Sequence, residues 1–466
     1  MKTLQALRLL QEETKAEVFL VGGFVRDYLR NKKNDDLDIV VRRLTSKAII
    51  KFLSKHGSCK KITLAVNNDM FTTELILFRS KEDATIAQVV LPRRGKKQIA
   101  DKDNTLRQDA KFRDFKINAL YLPINFSSKA DVIDVVGGIN EIRERAISCV
   151  SDVDDCLSMS PVRVLRAVSL AARTDYKLDS SLFDGMRRHA SKLEDVFPEA
   201  VRRELDKILL SKKPSKHLKL MRKLGILKYV IPELDACVGV SQDKRYHKYD
   251  VFTHCIYTCD NTEPNLILRL AGLLHDIGKP VTRKKVGQRV TFHKHEMASV
   301  KLARDLLNRL RYDGKTKADV LNLVRLHMYH YTREYGDTAV RRFIKKTGIT
   351  EDMLDNLGDL PLFKLRIAER LGNGLKTDPV TQRQLDFENR IKEVFERGGG
   401  LKLKDLDING HIIMEAFQIE GKLVGEILSY LLDRVQRDKS LNDRMQLIEL
   451  TLQYLRSKEH ASQTEK

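Results

Sequence analysis

Val18-Phe19-Leu20-Val21-Gly22-Gly23-Phe24-Val25-Arg26-Asp27-Tyr28-Leu29 is followed at close range by Asp36-Leu37-Asp38-Ile39-Val40-Val41. The apolar run from Val18 to Val21 predicts a buried strand that stops at the glycine pair. Glycine adopts positive φ at little cost and lets a phosphate come close to the backbone. A helix is expected from Arg26, then a second strand entered through Asp36 and Asp38. Residues i and i+2 of a strand point to one face, so both carboxylates can grip the same divalent ions. Two such ions, roughly 3.5–4 Å apart, would activate an attacking hydroxyl and stabilise a leaving pyrophosphate. The pattern suits transfer of a nucleotide from a triphosphate. Asp-x-Asp alone is commonly a solvated loop, and Gly-Gly alone is a turn. Their combination in strand–turn–helix–strand order points to catalysis.

Further segments follow in a telling order. Arg113-Asp114-Phe115-Lys116-Ile117-Asn118-Ala119-Leu120 comes first, then Asp134-Val135-Val136-Gly137-Gly138 and Ser160-Pro161-Val162-Arg163-Val164-Leu165-Arg166-Ala167. Glu199 through Leu205, His275-Asp276-Ile277-Gly278-Lys279-Pro280 and Ile408-Asn409-Gly410 complete the series. On these segments the chain resembles the polymerase-β-type nucleotidyltransferases, within them the bacterial class of tRNA CCA-adding enzymes and poly(A) polymerases. The resemblance covers nearly the whole chain. Phe112 and Lys116 replace the first Arg and the Thr of the family's Arg-Arg-Asp-Phe-Thr-Ile-Asn-Ala segment.

The resemblance implies an α+β nucleotidyltransferase head followed by an all-α neck, RNA-binding and HD domains. Asp36 and Asp38 would be the catalytic metal ligands, for Mg2+. Gly22 and Gly23 would offer backbone N–H groups to the triphosphate, and Arg26 would add charge, oriented by Asp27. Glu74 could lend a third carboxylate, although strand alternation makes a solvated face the simpler reading. Arg113 and Asp114 would contact phosphate and sugar, and Asn118 the ribose or, alternatively, a capping or turn hydrogen bond.

Base choice is a separate problem. Cytosine and adenine each present an amino donor beside a ring-nitrogen acceptor, a pattern that a carboxylate and an arginine can match together. A mismatched base leaves a buried polar group unpaired, at roughly 1–3 kcal/mol. The family's Glu-Asp-x-x-Arg motif falls here on Met159, Ser160 and Arg163, so the arginine is present and both carboxylates are absent. Arg166 lies one turn on. Ser160 Oγ can still accept from an amino group, more weakly than a carboxylate; Asp154 or Asp155 could substitute for it.

His275-Asp276 ends the apolar stretch from Leu266 to Leu274, with His254 upstream and His293, His295, His327 and His330 downstream. Polar candidates around one His-Asp pair favour a metal phosphohydrolase of the HD type over a purely structural helical domain. The resemblance implies His254, His275 and Asp276 as ligands of a divalent metal, with His295 and His327 as further ligands. The family's last ligand, an Asp in Ala-Asp, is here Glu369 in Ala368-Glu369-Arg370.

Formal net charge is +21, from 85 Lys plus Arg against 64 Asp plus Glu. Such a surplus favours a polyanionic partner, because each neutralised phosphate releases counterions; general surface solubility is the alternative. From Arg187 to Lys228 there are 13 basic and 5 acidic residues. In this strip Arg187, Arg188, Arg202, Arg203, Lys212, Lys213, Lys216, Arg222 and Lys223 are expected to track RNA phosphates. Aromatics are sparse there, which argues against base stacking.

None of the six cysteines forms a Cys-x-x-Cys pair, and buried free thiols in a reducing cytosol are expected. Glu12, Glu13 and Lys15 break up any apolar leader, and no apolar stretch approaches a membrane span. A soluble, cytoplasmic protein without membrane partner is the expectation. Its domains are read as residues 1–145 (head), 146–240 (neck and RNA-binding region), 241–375 (HD domain) and 376–466 (helical tail). Pro92 to Asn104 should be a flexible loop, Gly398-Gly399-Gly400 a linker, and the ten residues after Arg456 a frayed end. The expected function is addition of CCA, or part of it, to the 3′ end of tRNA or another RNA from CTP and ATP. The alternatives are a poly(A) polymerase and a catalytically silent RNA-binding protein; intact Asp36 and Asp38 oppose the latter. No motif fixes the oligomeric state.

Overall fold

The computed structural model describes all residues except 67–70, 95–96, 99–103, 288, 333, 398–400 and 465–466. Helix α1 (Thr3–Glu13) precedes strand β1 (Glu17–Val21), helix α2 (Gly23–Leu29), strand β2 (Leu37–Arg42) and helix α3 (Ser46–Leu53). Strands β3 (Gly57–Val66), β4 (Phe71–Ser80) and β5 (Ile86–Val90) follow. With strands Leu120–Pro123 and Ile133–Asp134 they form one seven-stranded sheet, ordered β3-β4-β5-β2-β1 and then those two. All neighbours are antiparallel except β2 and β5.

Alternation along β1 and β2 sends residues to two cores. Val18, Leu20, Ile39 and Val41 pack with Ala6, Leu7 and Leu10 of α1. Phe19, Val21 and Val40 pack on the other face with Tyr121. Thr3 ties α1 to the chain between β4 and β5 by hydrogen bonds to Asp83 at 2.8 and 2.7 Å.

After residue 150 the chain is almost wholly helical, as the apolar spacing in Val162, Leu165 and Val168 predicts. One continuous core runs from Phe115 and Ile117 through the neck helices to Cys255, Leu270 and Val324. The tail helices Gly410–Phe417, Lys422–Arg437 and Arg444–Thr464 enclose a core of their own around Ile413, Ile427 and Leu431.

Three expectations change. The helical block after Asp250 contains a small antiparallel hairpin, Lys284–Val286 with Arg289–Thr291, turning at Gly287 with φ +59°. The last helix continues past Arg456 to Thr464. Within Pro92–Asn104, Arg93–Arg94 pairs with Lys97–Gln98; the rest of the expected loop at 95–96 and 99–103, and the glycine linker at 398–400, lie outside the described residues. All six cysteines are free, and five are buried. Among the described residues no helix is long and apolar enough to cross a membrane.

Candidate functional site

Strand register builds the head site. Val21 pairs with Asp38 across the antiparallel β1–β2 ladder, so the turn leaving β1 lies directly against that carboxylate. Gly22 sits there with φ +67°, and a Cβ on it would come within 2.9 Å of Asp38 Oδ2. Only glycine meets both conditions. Across the parallel ladder Asp38 faces Gln88. Gly22, Asp38 and Gln88, with Gly23, Arg26, Asn34, Asp36, Arg113, Asp114, Asn118, Arg163, Arg166, Arg173 and Lys207, line a cavity of about 480 Å³.

One hydrogen-bonded chain holds the cavity together. Arg26, 2% exposed, donates two hydrogen bonds to Asp27 at 3.0 and 2.6 Å and one from Nη1 to Asn118 Oδ1 at 2.8 Å. Arg30 and Asn34 also donate to Asp27, at 2.9 and 2.8 Å. Burial opposes the Asp27 charge, but Arg26 and these donors outweigh it and its pKa is lowered. Asn118 Nδ2 donates to Asp114 Oδ1 at 3.3 Å, and Arg166 reaches Asp114 Oδ2 at 3.0 Å. Arg166 is backed in turn by Glu204, 3.7 Å away on the helix Pro198–Leu209.

Burial raises the pKa of Asp38; Arg113 pulls it back and the Asp36 charge adds to the rise. Two neighbouring carboxylates, facing a cavity lined by six arginines and lysines, fit divalent cations bound with a polyphosphate.

The structure brings every expected nucleotide-binding residue of the head to this cavity except Ser160, which caps the helix Val153–Met159 outside the lining. Asp154 and Asp155 are not among the lining residues either. Asp154 is held by Arg188 at 2.9 Å and His189 at 2.8 Å. Arg163 does line the cavity. It is anchored by donating to Cys156 O at 3.1 Å and Phe112 O at 2.6 Å, while its buried Nε has no hydrogen-bond partner among the described residues. Glu74 is also outside: it pairs with Lys61 at 2.6 Å on a part-exposed face of the sheet. Gln88, Arg173 and Lys207 escape a sequence reading, because register and helix packing bring them in from afar.

The second site surrounds Asp276, 1% exposed. Its Oδ2 lies 3.4 Å from His254 Nε2 and 3.2 Å from His275 Nε2. Its Oδ1 lies 3.1 Å from His295 Nε2 and 3.6 Å from His327 Nε2. The outer nitrogens of three rings meet backbone carbonyls: His275 Nδ1 at Gly272 O (2.9 Å), His295 Nδ1 at Phe292 O (2.8 Å) and His327 Nδ1 at Val324 O (2.7 Å). Donation there leaves each Nε2 lone pair aimed at the carboxylate, the tautomer that binds metal. Among the described residues, buried Asp276 Oδ1, His295 Nε2 and His327 Nε2 have no well-formed hydrogen bond. The donors fall into two sets that could each hold a metal ion, His254–His275–Asp276 and Asp276–His295–His327, sharing Asp276. Unpaired inward lone pairs around one shared carboxylate fit two divalent cations.

Burial pushes His254 down to about 3, the neutral form a ligand needs. Glu369 departs from the expected ligand set. Its carboxylate is bound by Arg366 at 3.0 Å and belongs to neither group. Against burial, Arg366 and His327 hold it down to about 2. Two further residues stand beside the cluster. Lys279 Nζ is 2.5 Å from Asp276 Oδ2 and 2.7 Å from Gln242 Oε1, and the His247 ring packs edge-on against His254 at 5.0 Å. Lys279 was visible in the motif itself; His247 sits in the loop before its helix, where spacing gives no signal. The cluster opens into a cavity of about 800 Å³ that His247, His293, His295, His330, Lys279 and Glu369 help to line.

Of the basic strip, Arg187, Arg203, Lys212, Lys213, Arg222 and Lys223 are exposed. Arg188 and Lys216 are exposed but paired, with Asp154 and with Asp175 at 2.5 Å. Arg202 is turned inward, donating to Arg311 O and lying over the Tyr312 ring.

Comparison with known proteins fits this geometry. Residues 18–148 match the Poly A polymerase head domain, 175–238 the probable RNA and SrmB-binding site of polymerase A, and 246–383 the HD domain. The multifunctional CCA protein of Neisseria meningitidis serogroup B (strain MC58) is 30% identical over 350 residues, 71% of this chain and 77% of that protein. The multifunctional CCA protein of Cupriavidus pinatubonensis is 29% identical over 344 residues, 71% and 79% of the two chains. In fold, the chain is similar to the Bacillus stearothermophilus CCA-adding enzyme in complex with CTP. The TM-score is 0.64 at 16% identity, over 99% of this chain and 98% of that one. The Thermotoga maritima CCA-adding enzyme complexed with tRNA gives 0.52 at 18% identity, over 97% and 94%. With its three domain matches in order and near 30% identity to these relatives over most of both lengths, the chain belongs to the family of the multifunctional CCA proteins.

Proposed function

We propose that the chain adds CCA to the 3′ end of tRNA, from CTP and ATP, with release of pyrophosphate. The observation that carries this is the cavity in which Asp36, Asp38 and the Gly22–Gly23 turn meet Arg163 and Arg166, in a chain whose relatives are named CCA proteins. Asp36 and Asp38 would hold the divalent ions, magnesium in this proposal. Bound there, the ions would lower the cost of charge on the attacking 3′-hydroxyl and on the leaving pyrophosphate.

The side chains do the positioning. Gly22 and Gly23 let the triphosphate lie against the backbone, and Arg26, fixed by Asp27 and Asn118, supplies directed charge. Arg113, Arg173 and Lys207 neutralise phosphate, Asp114 and Asn118 hold the sugar, and Arg163 and Arg166 stand on the cavity wall for the base. The exposed basic residues from Arg187 to Lys223 would carry the tRNA acceptor by its phosphates. A cytoplasmic location and the division into domains at 145, 240 and 375 belong to the same proposal. The test is incubation of the protein with tRNA lacking its 3′ end and each labelled triphosphate singly, then all four. CTP and ATP incorporated in that order support the reading; a long adenylate tail would favour poly(A) polymerase.

A second activity is favoured by the two ligand sets sharing Asp276. In this reading His254, His275, Asp276, His295 and His327 hold two divalent ions that polarise a phosphoester, and Lys279 faces the phosphate charge. Hydrolysis of a terminal or 2′,3′-cyclic phosphate by the wild-type protein with magnesium, manganese, nickel or cobalt tests it.

A further inference from the structure

The nucleotide cavity of the head is polar or charged on nearly every side, and the face of a nucleobase is neither. Of the described residues that line it, only Phe112 and Leu170 carry apolar side chains. Leu170 is fully buried, whereas Phe112 is half-buried and contributes a planar ring to the wall. The backbone of Phe112 is fixed on both sides. Its N–H donates to Asp109 O at 3.0 Å, and its carbonyl accepts from Arg163 Nη2 at 2.6 Å. The second bond sets Phe112 next to the arginine on the base wall. Planar guanidinium groups nearby are already engaged. Arg113 pairs with Asp109 at 3.0 Å and lies over the Tyr121 ring, and Arg166 pairs with Asp114 at 3.0 Å.

We propose that the Phe112 ring is a stacking platform for the base of the incoming nucleotide, so that this chain holds cytosine and adenine by the face as well as by the edge. The proposal rests on the nucleotide-addition reading of this cavity. Every base presents a π-face, and stacking on an aromatic ring does not depend on the groups at the base edge. Ser160 is outside the lining, and positions 159 and 160 carry no carboxylate. Face contact therefore supplies binding that the edge does not. Adenine offers the larger face, so ATP gains more from the ring than CTP does.

The chain contains no tryptophan, so Phe112→Trp keeps a stacking ring and installs a single reporter. In magnesium and without RNA, ATP and CTP are expected to quench its fluorescence saturably, and inorganic tripolyphosphate is not. Phe112→Leu keeps an apolar side chain and the carbonyl that Arg163 binds, but removes the π-face. In tRNA extension it should raise KM for ATP about tenfold and KM for CTP by less. The inhibition constant of tripolyphosphate, which has no base, should stay as in the wild type, and Phe112→Tyr should restore both KM values. Wild-type KM values in Phe112→Leu would mean that the residue acts only through its carbonyl, and would overturn the platform. Equal quenching by ATP and tripolyphosphate, quenching by none of the three, or a tripolyphosphate constant that moves with KM would overturn it too. The titration needs no catalysis, and extension by the wild type, scored in parallel, bears on the nucleotide-addition reading alone, so the two failures are told apart.

Discussion

Arg26 Nη1 donates to Asn118 Oδ1 at 2.8 Å across 92 residues of chain. This bond joins the helix after the glycine turn to the Arg113–Leu120 segment, and through Asn118 and Asp114 it continues to Arg166 in the neck. The nucleotide cavity is thus one fixed network, not a set of independent side chains.

Cutting that network at its middle should cost activity and not the fold. Hydrogen bonds to charged groups are worth about 1.5–3 kcal/mol. Asn118→Ala is therefore expected to lower kcat/KM for nucleotide addition by roughly tenfold to a hundredfold, with an unchanged circular dichroism spectrum. An unaffected kcat/KM would mean that Arg26 is held by Asp27 alone.

Asp27 should matter for stability. Asp27→Asn leaves the Arg26 guanidinium buried and uncompensated, at about 3 kcal/mol. The folded-state pKa of Asp27 is lowered, so its contribution is present above the unfolded value of about 3.9 and lost as pH falls through the lower folded value. Denaturant melts should show the wild type losing this advantage over Asp27→Asn below about pH 4. A difference that persists undiminished at low pH would contradict the ion-pair account.

Arg222 and Lys223 are exposed on the helix Pro214–Lys223 and lie over Phe252 and Phe183 respectively. If they meet tRNA phosphates, replacing both by alanine should weaken binding and shallow the plot of log affinity against log salt by about two at most. Filter binding at a series of salt concentrations checks this, and an unchanged slope would remove this helix from the RNA path.

How much of this could be read from the sequence differs by site. The head was legible where chemistry is local. Gly22-Gly23 announces its own backbone need, and Asp36-x-Asp38 places two carboxylates at a strand entry, although β2 begins only at Leu37 and Asp36 precedes it. Gln88 was not legible, because only the parallel β2–β5 register sets it opposite Asp38. Ser160 was assigned from the family motif, but the end of its helix leaves it out of the cavity lining. Around Asp276 the histidines were found by type, while their division between the two carboxylate oxygens appears only in three dimensions. Glu369 was expected as a ligand, and Arg366, one helical turn before it, claims its carboxylate instead. The hairpin at Lys284–Thr291 is too short and polar to leave a periodic signal.

The shared carboxylate predicts a linked loss at the second site. Asp276→Ala should abolish metal-dependent phosphatase activity, strip bound divalent metal measured by mass spectrometry, and leave nucleotide addition intact. His275→Ala should act in the same direction. Metal content unchanged in Asp276→Ala would contradict the two-ion arrangement.

The central claim is that Asp36 and Asp38 carry nucleotide addition to tRNA. The direct measurement is extension of tRNA lacking its 3′ end, with CTP and ATP, by wild type, Asp36→Ala and Asp38→Ala, each shown folded by circular dichroism. Loss of a metal ligand should slow extension by about a thousandfold or more, while the wild type completes CCA. Extension at the wild-type rate by either variant would contradict the account.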